Sequence, residues 1–152
     1  MDLRPELLPP PVTERRLRTL ADEIERIEDL LFSEDLAEAD AAIAAFNAAT
    51  GHAYGPTDLT GYAGWRDLED FALEAARPAY PRLSDITREE LVEVVRKILD
   101  GDPEHSYHLL VLETNVTHPQ AYDLLYHPPQ DLEDASPERI VDEILAYRPI
   151  AL

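Results

Sequence analysis

The sequence predicts an all-α protein with two small helical units in tandem. Apolar residues recur at three- and four-residue steps in several segments, a spacing typical of the buried face of an amphipathic helix. No segment alternates convincingly with the period of two expected of a half-buried strand. The two halves of the chain also carry similar residue patterns, which predict a boundary between two units near residue 80.

The first half begins with a proline-rich arm, residues 1–12, followed by a predicted helix from Glu14 to about Phe32 with Thr13 as its N-cap. Its apolar stripe consists of Leu17, Leu20, Ile24, Ile27 and Leu31. This stripe fits a heptad seam for less than three heptads, which is short for a dimeric coiled coil. Packing into a core is therefore the favoured interpretation.

Two more helices are predicted in the first half. Ser33 is the expected N-cap of one that ends before Gly51. Its inward residues are expected to be Leu36, Ala39, Ile43 and Phe46. The other is expected over residues 65–77, ending before Pro78, since proline does not continue a helix. Its packed side is expected to hold Trp65, Leu68, Ala72 and Ala75.

The second half repeats this plan. Thr87 and Glu90 have the spacing of a capping box. Asp102 and Pro103 provide a cap and a first-turn proline for the next helix. Ser136 starts the last helix. The predicted inward residues of the three helices are Leu91, Val94, Val95 and Ile98; Leu109, Leu112 and Val116; and Ile140, Val141, Ile144, Leu145 and Tyr147.

An internal duplication would explain the repeated plan. Residues 46–52 lead to Asp58 much as residues 112–118 lead to Asp123. We therefore expect one domain over residues 13–80 and another over 81–152, packed together because each is close to the smallest size that folds alone.

The charge balance points to a basic partner. The chain carries 13 Lys and Arg against 32 Asp and Glu, a formal net charge of −19. Nucleic acid would be repelled, whereas a basic protein would be attracted and steered to its site. An alternative is that the acidity only maintains solubility.

Several classes of protein and site are disfavoured. The chain has no cysteine, which excludes disulfides and thiol chemistry. We expect no signal peptide and no membrane span, and therefore a cytoplasmic location. His105 and His108, with His118 or His127, could in principle hold a metal, but solvated or structural roles are favoured. No phosphate loop or nucleophile elbow is present, so we expect neither an enzyme nor a cofactor.

Three ordered motifs lie in the second half, at His118–Pro128, Asp134–Val141 and Leu83–Leu91. They resemble, in that order, the His-Pro-x-x-x-Asp-Leu-Ile-Tyr-Tyr-Pro, Asp-Asp-Ser-Pro-x-x-Ile-Val and helix-one motifs of the colicin/pyocin DNase immunity protein family. The resemblance extends from Leu83 to Arg148. It implies a small antiparallel four-helix bundle with a one-turn third helix. It also implies binding to the HNH-type nuclease domain of a bacteriocin, beside the catalytic centre.

The same resemblance implies a set of partner-binding residues. Asp123 and Tyr126 match the third-helix positions that provide common binding energy, and His127 replaces the second family tyrosine. Glu113 matches an acid at the rim of the interface on helix two, and Leu109 matches an apolar specificity position there. The first half resembles the family more faintly, as a diverged copy.

The sequence therefore predicts two tandem immunity-like four-helix bundles that bind and inhibit a cognate nuclease toxin through an acidic surface. A monomer is the default expectation. The alternative is a non-catalytic acidic interaction module, a DNA mimic or an adaptor, built on the same scaffold. Diffuse, salt-sensitive binding to several basic proteins, with little response to Tyr126→Ala, would indicate that alternative.

Overall fold

The computed structural model describes residues 1–61 and 67–148, and this part of the chain is helical without strands. It forms two compact units. The first, called the 10–79 unit, contains Pro10–Ala79; the second, called the 80–152 unit, contains Tyr80–Leu152 together with Met1–Pro9. The all-α prediction is confirmed.

Each unit holds four of the described α-helices. In the 10–79 unit they are α1 (Glu14–Phe32), α2 (Leu36–Thr50), α3 (Pro56–Gly61) and α4 (Leu68–Ala76). In the 80–152 unit they are α5 (Arg88–Leu99), α6 (His105–Asn115), α7 (Ala121–Tyr126) and α8 (Pro137–Ala146). Short 3-10 turns at Pro5–Leu7 and Gln130–Leu132 complete the latter unit.

Helix α1 forms as its sequence predicts. The Thr13 side chain accepts a hydrogen bond from the Arg16 backbone N–H, which satisfies a donor that the first helical turn leaves unpaired. Its apolar stripe packs into the core of the 10–79 unit, with Ile24 and Ile27 fully buried. The core includes Phe46, Leu59 and Phe71 from the other three helices.

The predicted start of α2 was wrong. Ser33 ends α1, and its hydroxyl donates to the Leu30 carbonyl instead of capping the next helix. Asp35 is the N-cap, accepting from the Glu38 N–H. Helix α2 therefore starts at Leu36, which is exposed in the first turn and does not face inward as expected. The predicted end was right, since Gly51 caps α2 in the left-handed conformation with a φ of 76°.

The helix expected over residues 65–77 is shorter than predicted. Asp67 has extended backbone and caps α4 by accepting from the Asp70 N–H, so the helix begins at Leu68. Trp65 lies outside the described residues. Ala72 and Ala75 are buried as predicted, but the largest buried side chain of α4 is Phe71, which was not among the predicted inward residues.

Helix α5 confirms the capping-box prediction. The Thr87 hydroxyl accepts from the Glu90 N–H at 3.1 Å, and the Glu90 carboxylate accepts from the Thr87 N–H at 2.9 Å. The four predicted inward residues of α5 are all buried. Arg88 joins this helix to α8 through both oxygens of Asp142, at 2.7 and 3.1 Å.

Helix α6 begins two residues later than predicted. Asp102 caps a separate turn by accepting from the Glu104 N–H at 2.8 Å, and the helix starts at His105. Of the predicted inward residues, Leu112 is fully buried, whereas Leu109 and Val116 are half-buried against the core. The other fully packed residues of α6 are Tyr107, His108 and Val111.

The last helix is capped as predicted. The Ser136 side chain accepts from the Arg139 N–H, and Pro137 occupies the first helical position. Ile140, Val141 and Ile144 are buried as expected. Leu145 is instead 39% exposed, and Tyr147 is the C-cap, past the end of the helix.

The proline-rich segment Met1–Pro9, called the strap, is part of the 80–152 unit. Leu3 and Leu7 are buried in the same core as the apolar residues of α5, α6 and α8. The Arg4 guanidinium donates to both oxygens of Glu90, at 2.8 and 3.0 Å, and to Asp85 at 3.1 Å. Two leucines and one arginine thus attach the strap to the unit.

Candidate partner-binding surface

Helix α7 displays a set of polar and aromatic side chains at the surface of the 80–152 unit. Its buried residues, Ala121 and Leu125, face the core, and the half-buried Leu124 packs against that core. The remaining side of the helix carries Tyr122, Asp123 and Tyr126. Because α7 has only six residues, burial of its apolar side determines which of its side chains face outward.

The polypeptide leading into α7 is held by His118. Its Nδ1 accepts a hydrogen bond from the Gln120 N–H at 2.9 Å. Its ring also packs against Tyr147, with the ring centroids 5.0 Å apart. These contacts connect the start of α7 to the residue that ends α8, and they give His118 a structural role.

Two tyrosines form an exposed aromatic pair on α7. The rings of Tyr122 and Tyr126 have centroids 4.6 Å apart and are tilted by 37°, and their exposed fractions are 45% and 39%. Partial burial, together with the neighbouring Tyr122, raises the pKa of Tyr126. Tyr126 is therefore a neutral hydrogen-bonding phenol at physiological pH.

A carboxylate and an imidazole lie beside this aromatic pair. Asp123 is exposed, and its backbone carbonyl accepts from the His127 N–H at 2.8 Å, so one turn holds both residues. The ring centroid of His127 lies 6.3 Å from that of Tyr122. Within the described part of the chain, the Asp123 side chain forms no hydrogen bond or ion pair, which leaves its oxygens available to a partner.

The two predicted residues of α6 share one side of that helix. Leu109 and Glu113 are four residues apart, so they lie one above the other on the helix surface. Glu113 is exposed, whereas Leu109 is half-buried and packs against the core. Helices α6 and α7 contact each other. The structure thus places three of the five predicted residues on one helical turn and the other two on the adjacent helix.

Tyr122 was not among the predicted site residues. It falls at a variable position of the motif that gave Asp123 and Tyr126, so the resemblance assigned it no role. Its spacing of four residues from Tyr126 on a short helix was the available signal, because residues at this spacing share a face.

The surface shows no arrangement for metal chemistry. Across residues 1–61 and 67–148, no group of three or more His, Cys, Asp and Glu side chains could hold a metal ion. His105 is exposed while His108 is buried, so these two rings do not face a common ligand. None of the described helices is long and apolar enough to cross a membrane.

A family model described as colicin immunity protein / pyocin immunity protein matches residues 83–149. Residues 83–149, somewhat less than half of the chain, are therefore similar to the colicin and pyocin immunity proteins. None of the solved structures matches the chain.

The immunity-family match covers α5 to α8 and therefore includes the whole α7 surface. It supports a role in bacteriocin immunity and implies a cognate toxin as the partner. Members of this family are inhibitors and not enzymes. The match does not extend to the 10–79 unit, so the internal duplication stays a prediction.

Proposed function

We propose that this protein is an immunity protein that binds the nuclease domain of a cognate bacterial toxin through α7 and the side of α6 that carries Leu109 and Glu113, and thereby inhibits it. The contact residues are Leu109, Glu113, Asp123, Tyr126 and His127, and the exposed Tyr122 belongs with them. The single observation that carries the proposal is the exposed Tyr122–Tyr126 pair with an unpaired carboxylate on the same turn, inside the family-matched region.

The chemistry of this surface suits a basic protein. Two aromatic rings on a six-residue helix offer contact area at a low cost in side-chain entropy, and tyrosine is enriched among the residues that dominate binding energy. Asp123 and Glu113 can each accept a charge-assisted hydrogen bond from arginine or lysine. A nuclease domain of HNH type carries such residues where it holds DNA phosphates.

Inhibition would follow from charge and bulk. The net charge of −19 attracts a basic nuclease and repels the phosphates of DNA, so the complex would have a much lower affinity for its substrate. This mechanism requires no reaction by the immunity protein. Such a protein is needed where the producer's own DNA is exposed to the toxin, so we propose that it acts in the cytoplasm.

The proposal is tested with the nuclease encoded beside this protein's gene. Tyr126→Ala and Asp123→Ala should each weaken binding about tenfold or more, because truncating a central interface residue removes contacts that the partner cannot replace. Two variants serve as controls. Tyr80→Ala removes a tyrosine that is 77% exposed and lies outside the α7 surface. Asp58→Ala alters the acid of the 10–79 unit that the predicted duplication would match to Asp123.

Isothermal titration calorimetry gives the affinities directly. Equal losses for Tyr126→Ala and Tyr80→Ala would refute the assignment of the α7 surface. A loss confined to Asp58→Ala would move recognition to the 10–79 unit. In that variant the stability must also be measured, since the Asp58 carboxylate accepts from the Gly55 N–H at 2.8 Å and holds the start of α3.

A further inference from the structure

A second exposed apolar surface lies in the 10–79 unit, where α1 meets α2. Phe32, the last residue of α1, is 70% exposed, and Leu36, the first residue of α2, is 60% exposed. Both fractions exceed those of the tyrosines on α7. Phe32, Glu34 and Leu36 are called the α1–α2 corner.

The corner has a defined backbone. The Asp35 N–H donates to the Leu30 carbonyl at 3.2 Å and the Glu34 N–H donates to the Leu31 carbonyl at 3.3 Å, the hydrogen-bond pattern of a Schellman motif. Phe32 and Leu36 therefore flank a fixed turn. A preformed turn loses less conformational entropy on binding than a flexible loop does.

The residue at the centre of this turn is unusual for its conformation. Glu34 has a φ of 63°, in the left-handed region where helix ends normally use glycine. A side chain at such a position destabilises the turn, and strained residues cluster at binding sites. The Glu34 carboxylate thus occupies this turn at a conformational cost.

The corner is acidic and unneutralised. Glu28 and Asp29 lie one helical turn before Phe32, on the same face of α1. In the part of the chain that the structure describes, neither they nor Glu34 form an ion pair. The nearby Arg26 is already engaged by Glu23 at 2.9 Å and by Glu38 at 3.2 Å.

We infer that the α1–α2 corner is a second docking surface for the same basic toxin that the α7 surface binds. The inference rests on the proposed function and extends it to the half of the chain that the family match does not cover. An exposed aromatic ring beside unpaired carboxylates occurs in both units, and a partner rich in arginine and lysine fits both. A second copy of this chain fits poorly, because it would bring the same carboxylates together.

A second contact in the same chain changes affinity in a predictable way. Because the two units belong to one chain, a contact at the corner needs no second association step, so even a weak contact there multiplies the overall affinity. Phe32→Ala should therefore raise the toxin Kd about tenfold, the effect of losing one well-packed interface side chain.

The experiment measures the Kd of the full chain for the toxin nuclease by calorimetry. The variants are Phe32→Ala, Glu34→Gln and Tyr126→Ala, with Tyr80→Ala as a matched exposed-aromatic control. Circular dichroism verifies that each variant is folded, which is expected because the replaced side chains are exposed. If Phe32→Ala and Glu34→Gln both weaken toxin binding and Tyr80→Ala does not, the result supports the α1–α2 corner as a docking surface.

Two results would overturn the inference while leaving the proposed function intact. One is weakening by Tyr126→Ala with no effect of Phe32→Ala or Glu34→Gln. The other is a free chain that sediments as a dimer and becomes monomeric in Phe32→Ala, which would make the corner a self-association surface. The absence of any complex with the unmodified chain would instead refute the proposed function, and the corner's role with it.

Discussion

The strap provides the most direct test of how the family-matched unit is held together. Leu7 is fully buried, in the same core as α5, α6 and α8, although more than 70 residues separate it from them in sequence. Replacing it by alanine removes three buried carbons. At about 0.8 kcal/mol for each carbon this costs roughly 2.4 kcal/mol, and the cavity left behind brings the total to about 3 kcal/mol.

Native-state hydrogen exchange measures this loss within the unit itself. A loss of about 3 kcal/mol should speed the slowest amide exchange of α5 and α8 by roughly a hundredfold, since each ~1.4 kcal/mol is a factor of ten. The matched control is Leu8→Ala, which alters the next residue of the strap, 38% exposed, and should change exchange about twofold or less. Equal exchange in the two variants would refute the claim that the strap completes this core.

Three further predictions concern single groups. Arg4→Gln should raise the pKa of Glu90 in a carboxyl NMR titration. Burial disfavours the charged form of Glu90, yet hydrogen bonds from the Thr87 N–H and from Arg4 keep its pKa below the usual value. An unchanged pKa in the variant would contradict the ion pair. Burial lowers the pKa of His108 below 6.5 despite the nearby Asp102. As the pH falls, the imidazole is therefore protonated in the unfolded chain before it is protonated in the folded one, so the free energy of unfolding should decrease below about pH 6.5. Urea titrations should show a smaller fall for His108→Gln, and an identical fall would refute this. Glu34→Gly should raise the free energy of unfolding by roughly 0.5 kcal/mol. Glycine relieves the strain of the left-handed turn in the folded state, and this gain exceeds the loss from the greater conformational entropy of the unfolded chain. A lower urea midpoint for Glu34→Gly would argue against strain at this position.

Helix boundaries were predictable where a cap acts locally. Thr13, Thr87 and Ser136 each accept a hydrogen bond from an N–H three residues ahead, so the sequence alone contains both partners. The N-cap of α2 was not predictable in this way, because two candidates, Ser33 and Asp35, stand close together in the sequence. The choice between them depends on the Schellman turn that ends α1.

The strap was not predictable in the same way. Leu3 and Leu7 stand among prolines and have no helical periodicity beyond a single turn, so no local pattern marks them as core residues. Their burial depends on the apolar side of a unit that begins about 70 residues later in sequence. The pairing of Arg4 with Glu90 likewise links residues 86 positions apart.

The candidate site was predictable mainly through the family resemblance. The motif selected Asp123 and Tyr126, and the structure places both at the surface of one helical turn. The apolar positions of α7 explain this, since burying Leu125 turns the other side outward. Leu109 is less accessible than a contact residue was expected to be, because half of it is used in packing α6.

Inhibition of the toxin nuclease can be measured by titrating the nuclease with this protein. DNA cleavage by a fixed amount of the nuclease is measured as the immunity protein is added, and the account predicts that activity falls to background near one molar equivalent. Tyr126→Ala should need a clear excess to reach the same inhibition, whereas Tyr80→Ala should match the unmodified chain. Undiminished cleavage with the protein in micromolar excess would contradict the account.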